Sequence, residues 1–242
     1  MTIALHTLAE RPDLGEDPGR AALHEVWPEF AKHDRVVNTY IGRAIDEHPD
    51  VQVVAWDDEA RRVVAEGNTI PVGWPAEPPP RGVDWALTHR YEEDGEPTTL
   101  CALQVMVAPE RQGTGLSAEM LLRMAQAAAD AGLDALVAPV RPTLKPRYPL
   151  VPMERYVDWR RSDGQLLDPW LRTHERLGAA VVAVAPESML IEADAATWEG
   201  WTGLAFPEDG DYVVEGGLVP VRVRDGVGVY VEPNVWMRHP PP

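Results

Sequence analysis

The residues with the clearest chemical use lie between Val105 and Ser117. Gly113 and Gly115 have no Cβ and adopt positive φ readily, so a turn through them can expose successive backbone N–H groups. A helix is predicted directly behind them, and its first N–H groups and the positive end of its dipole point the same way. These features predict an anion-binding turn, and phosphate or pyrophosphate is the ligand that suits it.

The turn needs a strand before it and a helix after it. Leu100 to Val107 is a run of aliphatic and β-branched residues of strand length. Ala118 to Ala131 is rich in alanine, has apolar residues at helical spacing and is followed by Gly132, as is typical of a helix C-terminus. Leu133 to Val140 has the composition of a second strand. The unit is predicted as strand, anion-binding turn, helix and strand.

Two kinds of phosphate site use such a unit. Gly113 to Ala118 formally matches the dinucleotide fingerprint G-x-G-x-x-A. In that motif, however, the first glycine follows its strand almost at once, and an acidic residue ends the next strand. Here residues 108–112 intervene, and the next strand leads into Arg141. A nicotinamide-nucleotide enzyme therefore stays an alternative rather than the preferred interpretation.

The stretch from Val105 to Ala131 resembles motif A of the GNAT acetyltransferase superfamily, in which Val-x-Pro is followed by Q/R-x-x-G-x-G/A and a helix. Gln112 to Ser117 fits that pattern except at its last position, where Ser117 replaces Gly or Ala. The resemblance implies an α/β fold with a mixed, largely antiparallel twisted sheet flanked by helices. It also implies acetyl-CoA or another acyl-CoA as co-substrate, with the pyrophosphate on the turn and the pantetheine arm along the strand. The residues it assigns to the cofactor are Met106, Val107, Gln112, Gly113, Thr114, Gly115, Leu116 and Ser117.

A second segment carries a weaker match. Asp168-Pro169 predicts a helix start, Gly178 predicts its end, and His174 shares one helical face with Trp170. In many members of the resembled family, a Tyr four residues before such a glycine protonates the departing thiolate, and that position here is His174. An imidazole could donate this proton or deprotonate the incoming ammonium. A buried structural histidine is the alternative, and it would fit a non-catalytic acyl-CoA-binding module.

The segment from Arg141 to Leu167 is far longer than an ordinary connection. Between residues 141 and 161 it has six basic and two acidic residues, a local charge of +4 in a chain whose net charge is −17. Arginines hold carboxylates or phosphates well, so this segment is predicted to close over the acyl group and acceptor. A solvated basic loop is the alternative. The predicted substrate-binding residues are Arg141, Tyr156, Trp159 and, from a helix before the motif, Tyr40.

The N-terminal part is predicted to hold two helices and a hairpin. Asp17-Pro18 starts a helix that runs to about Lys32 with a break near Pro28, and Val36 to Glu47 forms the next. Val51 to Trp56 and Arg62 to Gly67 form the hairpin. Further candidate acceptor contacts here are Trp27, Phe30 and Asp34. The candidate bases, among which the sequence does not choose, are Asp84, Glu92, Glu93 and Asp94.

The C-terminal part is predicted to be rich in strands, with a hairpin at Asp225-Gly226. We predict an acyl-CoA-binding core over residues 1–185. Residues 186–242 form a C-terminal β-rich extension packed on it, either separate or part of the same domain. A homodimer is left open.

Composition excludes several classes of protein. A net charge of −17 argues against a nucleic-acid partner, because phosphates would be repelled. The sequence has no long apolar run, so we expect no membrane contact. Cys101 is the single cysteine, which predicts a reducing, cytoplasmic setting, and the seven histidines lack ligand spacing for a metal. The expected function is acyl-CoA-dependent N-acyl transfer, most simply acetyl transfer to a small-molecule amine in a ternary complex.

Overall fold

The computed structural model describes residues 3–93 and 95–240. Its strands form one mixed sheet with the order β1-β2-β3-β4-β5-β9-β8-β7, and β6 pairs with β9. All strand pairs are antiparallel except β4 with β5. The strands are β1 (Ile3–Thr7), β2 (Val53–Asp57), β3 (Arg62–Val72), β4 (Thr99–Val107), β5 (Leu136–Val140), β6 (Ala180–Asp194), β7 (Gly210–Tyr212), β8 (Val221–Arg224) and β9 (Val227–Arg238). The predicted mixed, largely antiparallel sheet is confirmed.

Helices flank this sheet. They are α1 (Pro18–Leu23), α2 (Arg35–Glu47), α3 (Val83–Glu92), α4 (Leu116–Asp130), α5 (Met153–Tyr156), α6 (Pro169–Arg176) and α7 (Ala195–Thr202). Asp34 caps α2 by accepting from the Val37 N–H, and Asp168 caps α6 by accepting from the first-turn N–H groups. In the described chain, no helix has the length and apolar character needed to cross a bilayer.

The first predicted helix is shorter than expected. α1 ends at Leu23, and the chain continues through 3-10 turns at His24–Val26 and Glu29–His33. The predicted break near Pro28 is present: Pro28 lacks an N–H and disfavours a helical conformation at Trp27, which is extended with ψ of 141°. α3 was not predicted, because its apolar residues do not follow one face and its buried half includes the polar residues Asp84 and Thr88.

The two main core clusters lie on opposite sides of the sheet. Under α4, Met120 and Met124 pack with residues of β2, β3 and β4. Under α2 and α3, Leu87 packs with Ile70 and Trp236. Helices on both sides leave the C-terminal end of β4 and the start of α4 at one rim of the sheet, where the site lies.

The C-terminal residues belong to the same sheet as the rest. β6 runs through the predicted boundary at residue 185, and β9 pairs with both β5 and β6. The hairpin between β8 and β9 is confirmed: Asp225 and Gly226 have φ of 50° and 76°, as a two-residue hairpin turn requires.

Candidate functional site

The turn between β4 and α4 presents backbone rather than side chains. After β4 a single 3-10 turn leads to Gly113 and Gly115, whose φ angles are +74° and +94°. Gly115 directly precedes α4, and no described side chain caps this helix. A Cβ added at either glycine would meet no protein atom within 4 Å. Each glycine therefore has open space where a side chain would stand, and Gly113 also lines a cavity.

Hydrogen bonds hold the turn in shape. The Gln112 side chain donates to the carbonyl of Val107 at 3.1 Å, and the Thr114 hydroxyl donates to the carbonyl of Arg111 at 2.7 Å. Arg111 also pairs with Asp57, a carboxylate buried at the end of β2. These contacts fix the loop from within, so its backbone amides need not reorganise when an anion binds.

β4 separates from β5 next to this turn. The two strands pair only at Leu100 with Leu136 and at Cys101 with Val137, after which β5 continues along β9. A cavity of about 350 Å³ opens in the gap. The edge of β4 from Leu103 to Val107 therefore faces the cavity without a β5 partner, and an amide-bearing chain can bind such an edge.

The far wall of the cavity is polar. Its polar side chains come from β4, the segment after β5, α6 and β9; they are Gln104, Arg141, Thr143, His174, Glu232 and Asn234. Arg141 Nε lies 3.0 Å from both carboxylate oxygens of Glu232, and its Nη2 donates to the Gly216 carbonyl at 2.6 Å. Tyr230 and Asn234 also donate to Glu232. The carboxylate is thus fully hydrogen-bonded, as a buried charge must be.

His174 lies in this wall with one nitrogen bound and one unbound. It is 1% exposed, and its ring packs edge-on against Trp170 at 4.5 Å. Nδ1 lies 2.8 Å from Nε2 of His239, whereas Nε2 is buried and has no partner. Burial and the adjacent His239 hold the pKa of His174 well below its usual value, so the ring is neutral at physiological pH. Nε2 is therefore an unused hydrogen-bonding position on a side chain that lines the cavity.

A second cavity of about 160 Å³ lies between the first and α2. The residues common to both cavities are Trp27, Val83, Leu103, Gln104, Arg141, Met189 and Glu232. The indole Nε1 of Trp27 is buried and has no partner in the described chain. Two compartments thus meet at one wall, and that wall has an unused hydrogen-bond donor.

Comparisons with known proteins agree with this geometry. No family model matches the sequence. The loading GNATL domain of CurA from Lyngbya majuscula has a similar fold, with a TM-score of 0.65, 20% identity and coverage of 99% of this chain and 98% of that domain. A GNAT-like decarboxylase, GphF, in complex with isobutyryl-CoA has a TM-score of 0.60 and 18% identity, with 100% of both chains covered.

A relative from Aspergillus versicolor named arginine N-acetyltransferase avaD is 34% identical over 277 residues, covering 98% of this chain and 93% of the relative. The chain belongs to the GNAT acetyltransferase superfamily. The predicted enzyme class, acyltransferase, and acyl-CoA as its co-substrate are confirmed with this membership. The nicotinamide-nucleotide alternative is left without support.

The structure brings together most, but not all, of the predicted cofactor residues of this GNAT enzyme. The predicted residues that line the larger cavity are Val107, Gln112, Gly113, Leu116 and Ser117. Met106 has its side chain buried in the core and does not line the cavity. Thr114 and Gly115 do not line the cavity, although both shape the turn that does.

Three of the four predicted substrate-binding side chains lie away from both cavities. Tyr156 is buried and donates to Asp168 at 2.9 Å, and Trp159 packs against it. Tyr40 donates to Glu92 on the outer side of α2. Only Arg141 lines the cavities, where it is bound to Glu232. Tyr156 and Trp159 were predicted from the basic, aromatic segment that holds them, but in the fold they pack within that segment and stabilise it.

Lys145 also belongs to the packing of that segment. Its Nζ is buried and donates to the carbonyls of Tyr148 and Leu218. Burial lowers the pKa of this amine to about 8. Lys145 therefore anchors the basic segment to the C-terminal part of the chain and is not directed at a ligand.

The candidate bases are dispersed. Asp84 is buried beside Asp34, and burial together with that second carboxyl raises the pKa of Asp84 to about 8. Neither carboxyl lines a cavity. Glu92, the last residue of α3, accepts a hydrogen bond from Tyr40, and Glu93, the next residue, binds His89. Asp94 lies outside the described residues.

Sequence reasoning missed the polar residues of β9. Tyr230, Glu232 and Asn234 alternate along an otherwise apolar strand, so they share one face. Three polar residues at a period of two in a buried strand were a signal for a polar site. His239 follows β9 directly and could not have been linked to His174, which is 65 residues away.

Proposed function

We propose that this enzyme transfers an acetyl group from acetyl-CoA to the primary amine of a small amino acid of the arginine type, by direct attack in a ternary complex. The observation that carries the proposal is the meeting of two cavities at a shared polar wall. One cavity begins at the glycine turn and the other lies beside α2. A thioester from one side and an amine from the other can therefore reach the same point.

The larger cavity suits acetyl-CoA. Its pyrophosphate would bind the amides from Gln112 to Ser117, next to the uncapped start of α4. The pantetheine arm would pair with the free edge of β4, and its thioester would then lie near Gln104. A backbone N–H of this edge can stabilise the negative charge that develops on the thioester oxygen during attack.

The smaller cavity suits a zwitterionic amine. Lys32 and Arg141 line it with cationic groups, which pair with Glu25 and Glu29 and with Glu232, respectively, but have more N–H donors than these pairings use. An amino acid can direct its carboxylate to the first two and its amine to the wall near Glu232. The named activity of the Aspergillus versicolor relative, arginine N-acetylation, supports an acceptor of this class.

The reaction joins the amine nitrogen to the thioester carbon and breaks the carbon–sulfur bond. The ammonium must first lose a proton, and the CoA thiolate gains one. His174 Nε2 is the unpartnered, neutral nitrogen in the cavity wall, so we assign it this proton transfer. The Cys101 thiol is fully buried in β4 and burial raises its pKa, which argues against a covalent acyl-enzyme step. Proximity of the two reactants supplies much of the rate.

Calorimetry followed by turnover tests this function. CoA and acetyl-CoA should bind, whereas NADPH should not. With acetyl-CoA present, release of free thiol and the product mass are measured for arginine, for agmatine, which lacks the carboxylate, and for Nα-acetylarginine, whose amine is blocked. We expect arginine to react best and Nα-acetylarginine not at all. Tight CoA binding without transfer to any amine would favour the non-catalytic binding module.

A further inference from the structure

His174 has a hydrogen-bond partner that is itself a histidine. His239 stands just after β9, where its backbone N–H donates to the Leu136 carbonyl and extends the β5–β9 pairing. Its side chain reaches α6, and Nε2 lies 2.8 Å from Nδ1 of His174. The two residues are 4% and 1% exposed. The contact is thus a buried bond between two elements that meet only in the folded chain.

Both rings are neutral near pH 7. Burial lowers the pKa of His239 to about 4, and burial with the adjacent ring lowers that of His174. A neutral imidazole carries one N–H, so the single proton between Nδ1 and Nε2 belongs to one ring or the other. The bond can be made with either ring as the donor.

The choice of donor decides what His174 offers the cavity. If His239 donates, Nδ1 of His174 accepts, and the Nε2 of His174 carries a hydrogen that can be given to a ligand. If His174 donates from Nδ1, its Nε2 is a lone pair that can take a proton. A backbone carbonyl at this place would allow only the second tautomer, because a carbonyl cannot donate. A histidine at position 239 can keep its hydrogen bond to Nδ1 of His174 in both tautomers.

We propose that His239 is a positioning residue that keeps His174 available in both neutral tautomers during acyl transfer. The inference rests on the proposed role of His174. When Nε2 takes the proton of the attacking amine, the Nδ1 proton moves toward Nε2 of His239, and the two rings share the positive charge. When Nε2 gives its proton to the CoA sulfur, the Nδ1 proton returns. The pair gains no net proton.

Kinetics of two His239 variants test this role. His239→Phe keeps a planar ring but removes the bond, and we expect turnover to fall at least tenfold with KM for acetyl-CoA and acceptor changed less than twofold. His239→Gln has an amide that can donate or accept, so it should recover part of the loss. His48→Phe, a replacement away from both cavities, is the matched control and should leave turnover unchanged.

A spectroscopic measurement on the free protein separates this inference from the proposed function. In the wild type at pH 7, the 15N shifts of the His174 ring should lie between protonated and unprotonated values, because both tautomers are populated. In His239→Phe, one tautomer should dominate. A wild-type ring fixed in one tautomer would overturn the proposal, as would a His239→Phe enzyme that loses thermal stability but turns over normally. An enzyme that shows both tautomers but acetylates no amine would contradict the proposed function alone.

Discussion

The two ends of the larger cavity are built in different ways. At one end, six consecutive residues from Gln112 to Ser117 present backbone, and nothing in the protein fills the space beside Gly113 and Gly115. At the other end, side chains from distant segments form a network centred on Arg141 and Glu232. The first end presents backbone amides, to which we propose an anion binds, whereas the second holds specific charges and donors.

This difference predicts which property a substitution at each end should change. A change in the turn should affect binding of the ligand common to the whole superfamily. A change in the polar wall should affect turnover or the acceptor and leave acyl-CoA binding intact. Four variants test this separation, beginning with the largest expected effect.

Gly113→Val should lower CoA affinity about 100-fold or more, because Gly113 lines the cavity and a side chain there would occupy the open space beside the amides of the turn. Gly132→Val is the matched control: its φ is +73° and its Cβ space is also open, but it lies at the other end of α4. Both variants carry a similar backbone strain, about 1–3 kcal/mol. Calorimetry should show weaker CoA binding in the turn variant than in the control. Equal CoA affinities would show that the turn does not bind CoA.

His174→Phe should lower turnover about 100-fold, the usual contribution of a positioned acid or base, with acetyl-CoA affinity nearly unchanged. The phenyl ring keeps the packing against Trp170 but carries no proton. Steady-state kinetics and thermal unfolding are measured together. Near-normal turnover in a less stable protein would show that His174 is a structural residue.

Trp27→Phe should raise KM for the acceptor about 3- to 10-fold, since an indole N–H bonded to a ligand contributes about 1 kcal/mol. The reason is that Nε1 is buried without a partner in the described chain and that Trp27 lines both cavities. Acetyl-CoA affinity should not change. An unaltered acceptor KM would mean that the donor faces no substrate.

Asp84→Asn should alter stability and leave both ends of the cavity unaffected. The pKa of Asp84 is raised to about 8 by burial and by Asp34, so the folded state holds a proton that the unfolded state loses near pH 4. The wild type therefore loses stability as pH rises from about 4 to about 8. An asparagine can donate to Asp34 without titrating. Urea unfolding at pH 5 and pH 8 gives the free energy of unfolding of both proteins. The variant's free energy of unfolding should rise relative to that of the wild type as the pH rises. An equal difference at both pH values would contradict the raised pKa of Asp84.

The local units of the fold could be predicted from neighbouring residues. Gly113, Gly115 and Asp225-Gly226 adopt the positive φ values that their residue types favour, and Asp168-Pro169 starts its helix as expected. In these units the deciding interactions span only a few positions, so the sequence is sufficient. Helix α3 escaped prediction because its buried residues do not follow one face, and the 3-10 turns before α2 are too short to show a periodic pattern.

The sequence by itself determined the glycine turn before α4, the mixed α/β fold that resembles the GNAT superfamily, and the place of His174 on an inward helical face. Only the tertiary structure decided which polar groups share the site. β9 pairs with both β5 and β6, and this pairing brings Glu232 to Arg141 and His239 to His174. The reason is physical. A turn is set by backbone torsions within a few residues, whereas contacts between side chains 65 or more residues apart depend on how the strands pair, and a local sequence pattern does not specify that pairing.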